Sequence, residues 1–180
     1  MKIHKVLLVF LLFSGTYLTV SAQDMWFRNL KKLKWLNQIS QIELLKSNKI
    51  DVEKILGVPE YFDESFLGRD FIKSYLTKKG KVTIKFTRHQ CWTKNRRYIP
   101  AGVVEKVRFD PENKIKLSEL GLPLSELDKT DEDDTPLEIY TNKKNGIEIV
   151  AQDGEVTGII FTSPDDMEFD CENSKKQPLN

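Results

Sequence analysis

Two stretches of this chain are punctuated alike. Ile55-Leu56-Gly57-Val58-Pro59 and Glu119-Leu120-Gly121-Leu122-Pro123 each end a run of helical period with a glycine and, two residues on, a proline. A helix does not continue through that pair, because glycine takes the left-handed cap conformation and proline lacks the N–H that another turn needs. After each stop come short runs in which apolar and polar residues alternate, the pattern of half-buried strands. The chain is thereby constrained to a twice-repeated order of short helix, stop and antiparallel strands.

In the first half, Ser47 or Asn48 can cap a helix, Asp51 suits its positive end, and Val52, Ile55 and Leu56 supply its apolar face. Phe71 to Thr77 reads as a strand, and Lys78-Lys79-Gly80 turns it into Lys81 to Thr87, where Val82, Ile84 and Phe86 share a side. A longer link, Arg88 to Ala101, leads to Gly102–Asp110, with Val103, Val107 and Phe109 on one face. In the second half, Leu117 to Leu127 reads as a short helix. Leu137 to Thr141, Ile147 to Ala151 and Val156 to Thr162 read as strands, joined through Lys143–Gly146 and the tight Asp153-Gly154 hairpin. The halves also match at Tyr75–Gly80 against Tyr140–Asn145, and at Gly102–Pro111 against Gly154–Pro164 with one residue inserted. The predicted fold class is α+β: two tandem helix plus three-stranded meander units, over residues 48–113 and 114–172, burying their apolar faces together. Residues 173–180 read as a flexible tail.

Ahead of these units, residues 1–22 read as a signal peptide. Lys2, His4 and Lys5 precede the apolar run Val6–Phe13, and Val20-Ser21-Ala22 offers a small-residue cleavage site. The apolar run is short of the roughly 20 residues that a membrane span needs. Position 23 is Gln rather than Cys, which argues against a lipoprotein. The expectation is an exported, periplasmic or secreted chain of 158 residues from Gln23 to Asn180. Within 23–47, Trp26, Phe27, Leu30 and Leu33 amid Arg28, Lys31, Lys32 and Lys34 predict an N-terminal amphipathic helix that changes phase near Asn37. It is expected to pack on its own domain; contact with a membrane surface is the alternative. The mature charge of 26 Lys/Arg against 27 Asp/Glu conceals a division: residues 23–110 carry a net +9, residues 111–180 a net −10. The balance argues against bulk nucleic-acid binding. The division predicts halves that attract each other across an internal interface or, as the alternative, halves that face different partners.

The stretch Leu45 to Pro59 resembles the helix opening of small outer-membrane assembly lipoproteins of the SmpA/BamE type, in which a capped helix ending in Leu-Gly-x-Pro precedes an antiparallel sheet. A tandem of such units is similar to the β-lactamase inhibitor protein fold. The mature chain also resembles a group of uncharacterised exported bacterial proteins that share Ile99-Pro100…Val103, Leu117–Leu122, Tyr140-Thr141-Asn142 and a Cys near the C-terminus. The resemblance implies a binding or scaffold fold and carries over no catalytic residue.

Little in the chain points to chemistry. His89 and Cys91 would share a strand face, but neither an orienting Asp or Asn nor a family signature accompanies them. His89, Cys91 and Cys171 lack zinc spacing, and Asp131-Glu132-Asp133-Asp134 lacks the turn glycine and closing glutamate of a calcium loop. No metal or cofactor is expected. Cys91 and Cys171 are the only cysteines, and in an oxidising compartment they are expected to form one intramolecular disulfide. The link that begins at Arg88 mixes cations with aromatics, and Arg88, Trp92, Lys94, Arg96, Arg97 and Tyr98 are the candidate binding residues. The expected function is that of an exported non-enzymatic binding or interaction protein with a protein partner. An inhibitor of an extracellular or periplasmic hydrolase is the alternative, and a Cys-His hydrolase stands behind both.

Overall fold

The computed structural model describes residues 36–59, 71–92, 98–131 and 135–163. The helix α1, Lys49–Leu56, begins where Asn48 closes a capping box: its side chain accepts from the Ile50 and Asp51 amides, while Asp51 accepts from the Asn48 amide. Val52 on this helix is fully buried, and Gly57 ends it with a positive φ of 88°.

Ten strands follow among the described residues, all in antiparallel pairs. They are β1 Ile72–Thr77, β2 Gly80–Phe86, β3 Cys91–Trp92, β4 Tyr98–Ile99, β5 Val104–Pro111, β6 Ile115–Lys116, β7 Asp128–Asp131, β8 Leu137–Asn142, β9 Ile147–Gln152 and β10 Glu155–Phe161. Eight of them form one sheet in the order β1-β2-β5-β10-β9-β8-β7, with β6 paired to β10, while β3 and β4 form a separate hairpin. The expected hairpins are present. Tyr75 lies opposite Val82 in the first, and Asp153 and Gly154 both take positive φ, 53° and 75°, in the β9–β10 turn.

The register places one apolar row on one face of the sheet. Ile84 faces Val107, Val82 faces Phe109, Phe109 faces Ile159, and Ile159 faces Ile149. Tyr140 continues the row onto β8. Leu36, Ile39, Ile42 and Val52 join this same core from the N-terminal side, and Leu117, Leu120, Leu122 and Leu127 join it from the connection after β6.

The structure corrects the predicted fold class. The described chain is mostly β with one α-helix, not two helix-plus-meander units preceded by a helix. Leu117 to Leu127 forms two short 3-10 turns, Leu117–Leu120 and Leu124–Glu126. Gly121 takes the left-handed conformation after the first turn, and Pro123 leads into the second, so an α-helix has no room to grow between them. No glycine or proline interrupts α1, which also has the capping box. Of the predicted N-terminal helix, residues 25–35 lie outside the described residues. The described remainder is not α-helical: Ile39–Gln41 is a 3-10 turn, and Leu45 has a positive φ of 59°. Ile39, Ile42 and Leu45 are all buried at a spacing of three, which suits a 3-10 turn and irregular backbone better than the 3.6-residue period. The two halves of opposite charge also meet edge to edge, through β5 and β10 in one sheet.

One polar cluster lies in the core between α1 and β1. The buried Lys73 places its Nζ 4.0 Å from Glu53 Oε1, while the Tyr75 hydroxyl is buried without a hydrogen-bond partner. Burial, with the Glu53 charge adding to it, pushes the Tyr75 pKa up to about 12. A tyrosine in the unfolded chain ionises near pH 10. The contribution of Tyr75 to stability is therefore intact below that pH and is lost as the pH rises to about 12. Tyr75→Phe deletes an unpaired buried hydroxyl and is expected to stabilise the fold at neutral pH by about 1 kcal/mol. It is also expected to flatten the fall in urea midpoint between pH 10 and pH 12. Urea unfolding of both proteins across that range checks the sign and the slope.

Candidate functional site

The link between β2 and β5 is built around a buried threonine. Thr87 follows β2, and its amide donates to the Val103 carbonyl (2.8 Å) while its carbonyl accepts from the Gly102 amide (2.8 Å). Its hydroxyl donates to the Pro100 carbonyl (2.9 Å) and accepts from the Val103 amide (3.2 Å). Four hydrogen bonds from one residue thus close the base of a loop that leaves at Arg88 and returns at Ala101. Beside this base, Leu45 donates its amide to the Val104 carbonyl and Val104 donates to the Ser47 carbonyl, so the segment before α1 fixes the start of β5.

The loop projects as the β3–β4 hairpin, in which Cys91 faces Ile99 and Trp92 faces Tyr98. Strand alternation then separates the two pairs. Cys91 and Ile99 point inward and form a small second core with Leu45 and Val103. Trp92 and Tyr98 point outward and are 59 % and 47 % exposed. Their rings meet edge to face, with centroids 5.3 Å apart and planes at 63°. The Tyr98 hydroxyl donates to Gln90 Oε1 at 3.0 Å, which holds its ring in place.

Of the candidate residues, the structure thus brings Trp92 and Tyr98 together. Arg88 is exposed but stands at the foot of the loop, its guanidinium carbon 3.8 Å from the centre of the Phe71 ring, where it ties the approach to β1 to the loop base. Lys94, Arg96 and Arg97 lie outside the described residues, between β3 and β4. His89 is exposed. Cys91 is buried and carries a disulfide rather than a free thiol, so it holds no thiolate for a Cys-His mechanism in this state. Cys171 lies outside the described residues. Sequence reasoning missed Thr87, whose role comes from burial and from partners more than ten residues away. The only signal for it was its place at the junction of strand and link.

The opposite end of the sheet is polar but internally paired. Lys129 contacts Glu138 at 2.7 Å and Asp131 at 3.1 Å, and these hydrogen bonds hold its ammonium above the usual lysine range. Lys114 pairs with Glu155 at 2.5 Å. Among the described residues, no group of three or more His, Cys, Asp or Glu could hold a metal ion, and no helix is long and apolar enough to cross a membrane.

No protein-family model matches this chain, and no curated protein matches it. Among solved structures it is similar to a DUF4309 family protein, YjgB, from Bacillus subtilis subsp. subtilis str. 168. The identity is 16 %, the TM-score is 0.46, and the match covers 79 % of this chain and 98 % of that one.

The hydrogen bonds of Thr87 make a direct test of how the hairpin is held. Thr87→Val keeps the shape of the side chain but leaves the Val103 amide and the Pro100 carbonyl without their side-chain partner. The expected cost is about 1–3 kcal/mol in unfolding free energy. Amide exchange is expected to speed up at Val103, with little change at Ile149 on β9.

Proposed function

We propose that this chain is an exported, non-enzymatic binding protein that engages a protein partner through its β3–β4 hairpin. The observation that carries the reading is the exposed Trp92–Tyr98 pair, standing on a hairpin whose base is fully bonded. Large aromatics left in water on a pre-ordered support are what the central anchors of protein interfaces need, since little side-chain or loop entropy remains to be lost on binding. The geometry disfavours a sugar or base ligand: rings at 63° offer no shared plane for stacking on a flat ring system. The segment 88–98 also carries four Lys/Arg and no Asp/Glu, which supports an acidic partner face.

The Cys91 disulfide belongs to the same reading. Its partner is proposed to be Cys171, the other cysteine of the chain. β10 ends beside the start of β5, where the Cys91 cluster sits, and Cys171 follows ten residues after Phe161. Such a bridge would tie the hairpin to the chain beyond the sheet.

Inhibition of a hydrolase is the second reading, favoured by one feature. Among the described residues the hairpin pairs Cys91 with Ile99 and Trp92 with Tyr98, and it turns both aromatics outward as a pair that could seat in a cleft.

A photo-crosslinking residue in place of Trp92, installed in the native host, tests both readings. The expected result is one dominant adduct protein in the envelope fraction, absent when the crosslinker replaces the exposed Val58. If that adduct is a hydrolase that the purified chain inhibits, the second reading takes over. The same pattern of adducts at both positions, or none at Trp92, would contradict binding through the hairpin.

A further inference from the structure

We infer that Asn145–Gly146 is a self-modification site: closed in the folded chain, it converts to aspartate and isoaspartate once the chain unfolds, and the product cannot rebuild the β8–β9 turn. It is the one Asn-Gly pair in the sequence. The chemistry of such a pair is general. The Gly146 amide nitrogen, giving up its proton, attacks the Asn145 side-chain carbonyl carbon and closes a cyclic imide, while the side-chain nitrogen leaves as ammonia. Glycine eases the step because it has no Cβ to crowd the attack. Water then opens the imide. Opening at the side-chain carbonyl gives aspartate, and opening at the main-chain carbonyl gives isoaspartate. One water enters and one ammonia leaves, and no oxidant, reductant or enzyme is required.

The fold both requires the pair and closes it. Gly146 takes a left-handed φ of 64°, and a Cβ there would collide with the Thr162 carbonyl oxygen, so no other residue fits the position. The nucleophile is occupied: the Gly146 amide donates to the Lys143 carbonyl at 3.0 Å, at the end of the 3-10 turn Lys143–Asn145. The Asn145 amide donates to Asn142 Oδ1 at 3.1 Å, and the Thr162 amide donates to the Gly146 carbonyl at 2.8 Å, so the residues on both sides of the reacting bond are pinned. Asn145 is only 4 % exposed, which also keeps out the water and base that the reaction needs. Attack therefore waits for the turn to open, and only the opened fraction reacts. The product is refused for two reasons. Asn145 Oδ1 is buried and has no hydrogen-bond partner among the described residues, so a carboxylate formed in its place would be a buried charge without a donor. Isoaspartate also lengthens the main chain between positions 145 and 146, which carries the Gly146 carbonyl away from the Thr162 amide and unseats the turn from the end of β10. Time spent unfolded thus becomes irreversible loss of the fold.

The test ages the purified chain at mildly alkaline pH, in buffer and in parallel in guanidinium chloride above the unfolding midpoint. Residue 145 is read over time by peptide mapping, with fragmentation that separates aspartate from isoaspartate. Conversion is expected to be at least about tenfold faster in denaturant, a ratio set by the small fraction of folded chains whose turn is open. Asn145→Gln, which must close a larger and slower-forming ring, is expected to show no conversion there on the same time scale; it is read in denaturant, where its own folding does not matter. The aged, denatured chain is then diluted to refold, and compact and non-compact chains are separated by gel filtration. The compact fraction is expected to hold Asn145, and the non-compact fraction aspartate and isoaspartate at that position. Rates in buffer and denaturant within about twofold of each other, or no conversion in denaturant, would overturn the closed site. Conversion of Asn145→Gln at the rate of the natural chain would overturn the imide route. Equal shares of converted residue 145 in the two fractions would overturn the claim that the product cannot refold.

Discussion

The pairing of β5 with β10 is the contact on which the rest of this structure depends. Val107 lies opposite Phe161 and Phe109 opposite Ile159, so the third strand of one meander becomes the neighbour of the third strand of the other. A lone three-stranded meander is marginal in water. Joined along this seam, the two expose one continuous apolar face, from Val82 through Phe109 and Ile159 to Ile149, which α1 and the leucines of the second half help to cover. The seam also decides how the charge division of the sequence appears in space. Basic and acidic halves lie side by side in one sheet, and their turns collect at its two ends.

The hairpin end inherits its order from that sheet. Val103 and Val104 are fixed by β2, by the segment before α1 and by Thr87, so the loop from Arg88 to Ala101 leaves and returns at a rigid base. Cys91 and Ile99 fill the small core beneath the hairpin, and alternation turns Trp92 and Tyr98 outward. Exposure of the aromatics thus follows from burial of their neighbours. That exposed pair on a bonded base is the support for the proposed binding role.

Much of this was legible in the residues. The α1 cap could be read from Asn48 and Asp51, the first hairpin from Val82, Ile84 and Phe86, and the β9–β10 turn from Asp153-Gly154, because each depends on neighbours within a few positions. The second helix misled for a local reason of its own: Leu117, Leu120 and Leu124 have helical spacing, but Gly121 and Pro123 divide the stretch into turns too short for an α-helix. The N-terminal stretch misled because burial at every third residue resembles a helix stripe. What no window of sequence contains is the order of strands in the sheet. The β5–β10 seam and the role of Thr87 both arise from pairings far apart in the chain. The candidate site was therefore half visible: its aromatic pair was legible, and its support was not.

Backbone nuclear Overhauser contacts across the seam test this account most directly. In the folded chain, β5 and β10 are predicted to show cross-strand contacts at Arg108–Ile160 and at Phe109–Ile159, with a single correlation time for residues on both sides. Absence of those contacts, with the two meanders tumbling separately, would contradict the shared sheet and, with it, the ordered base from which the hairpin leaves.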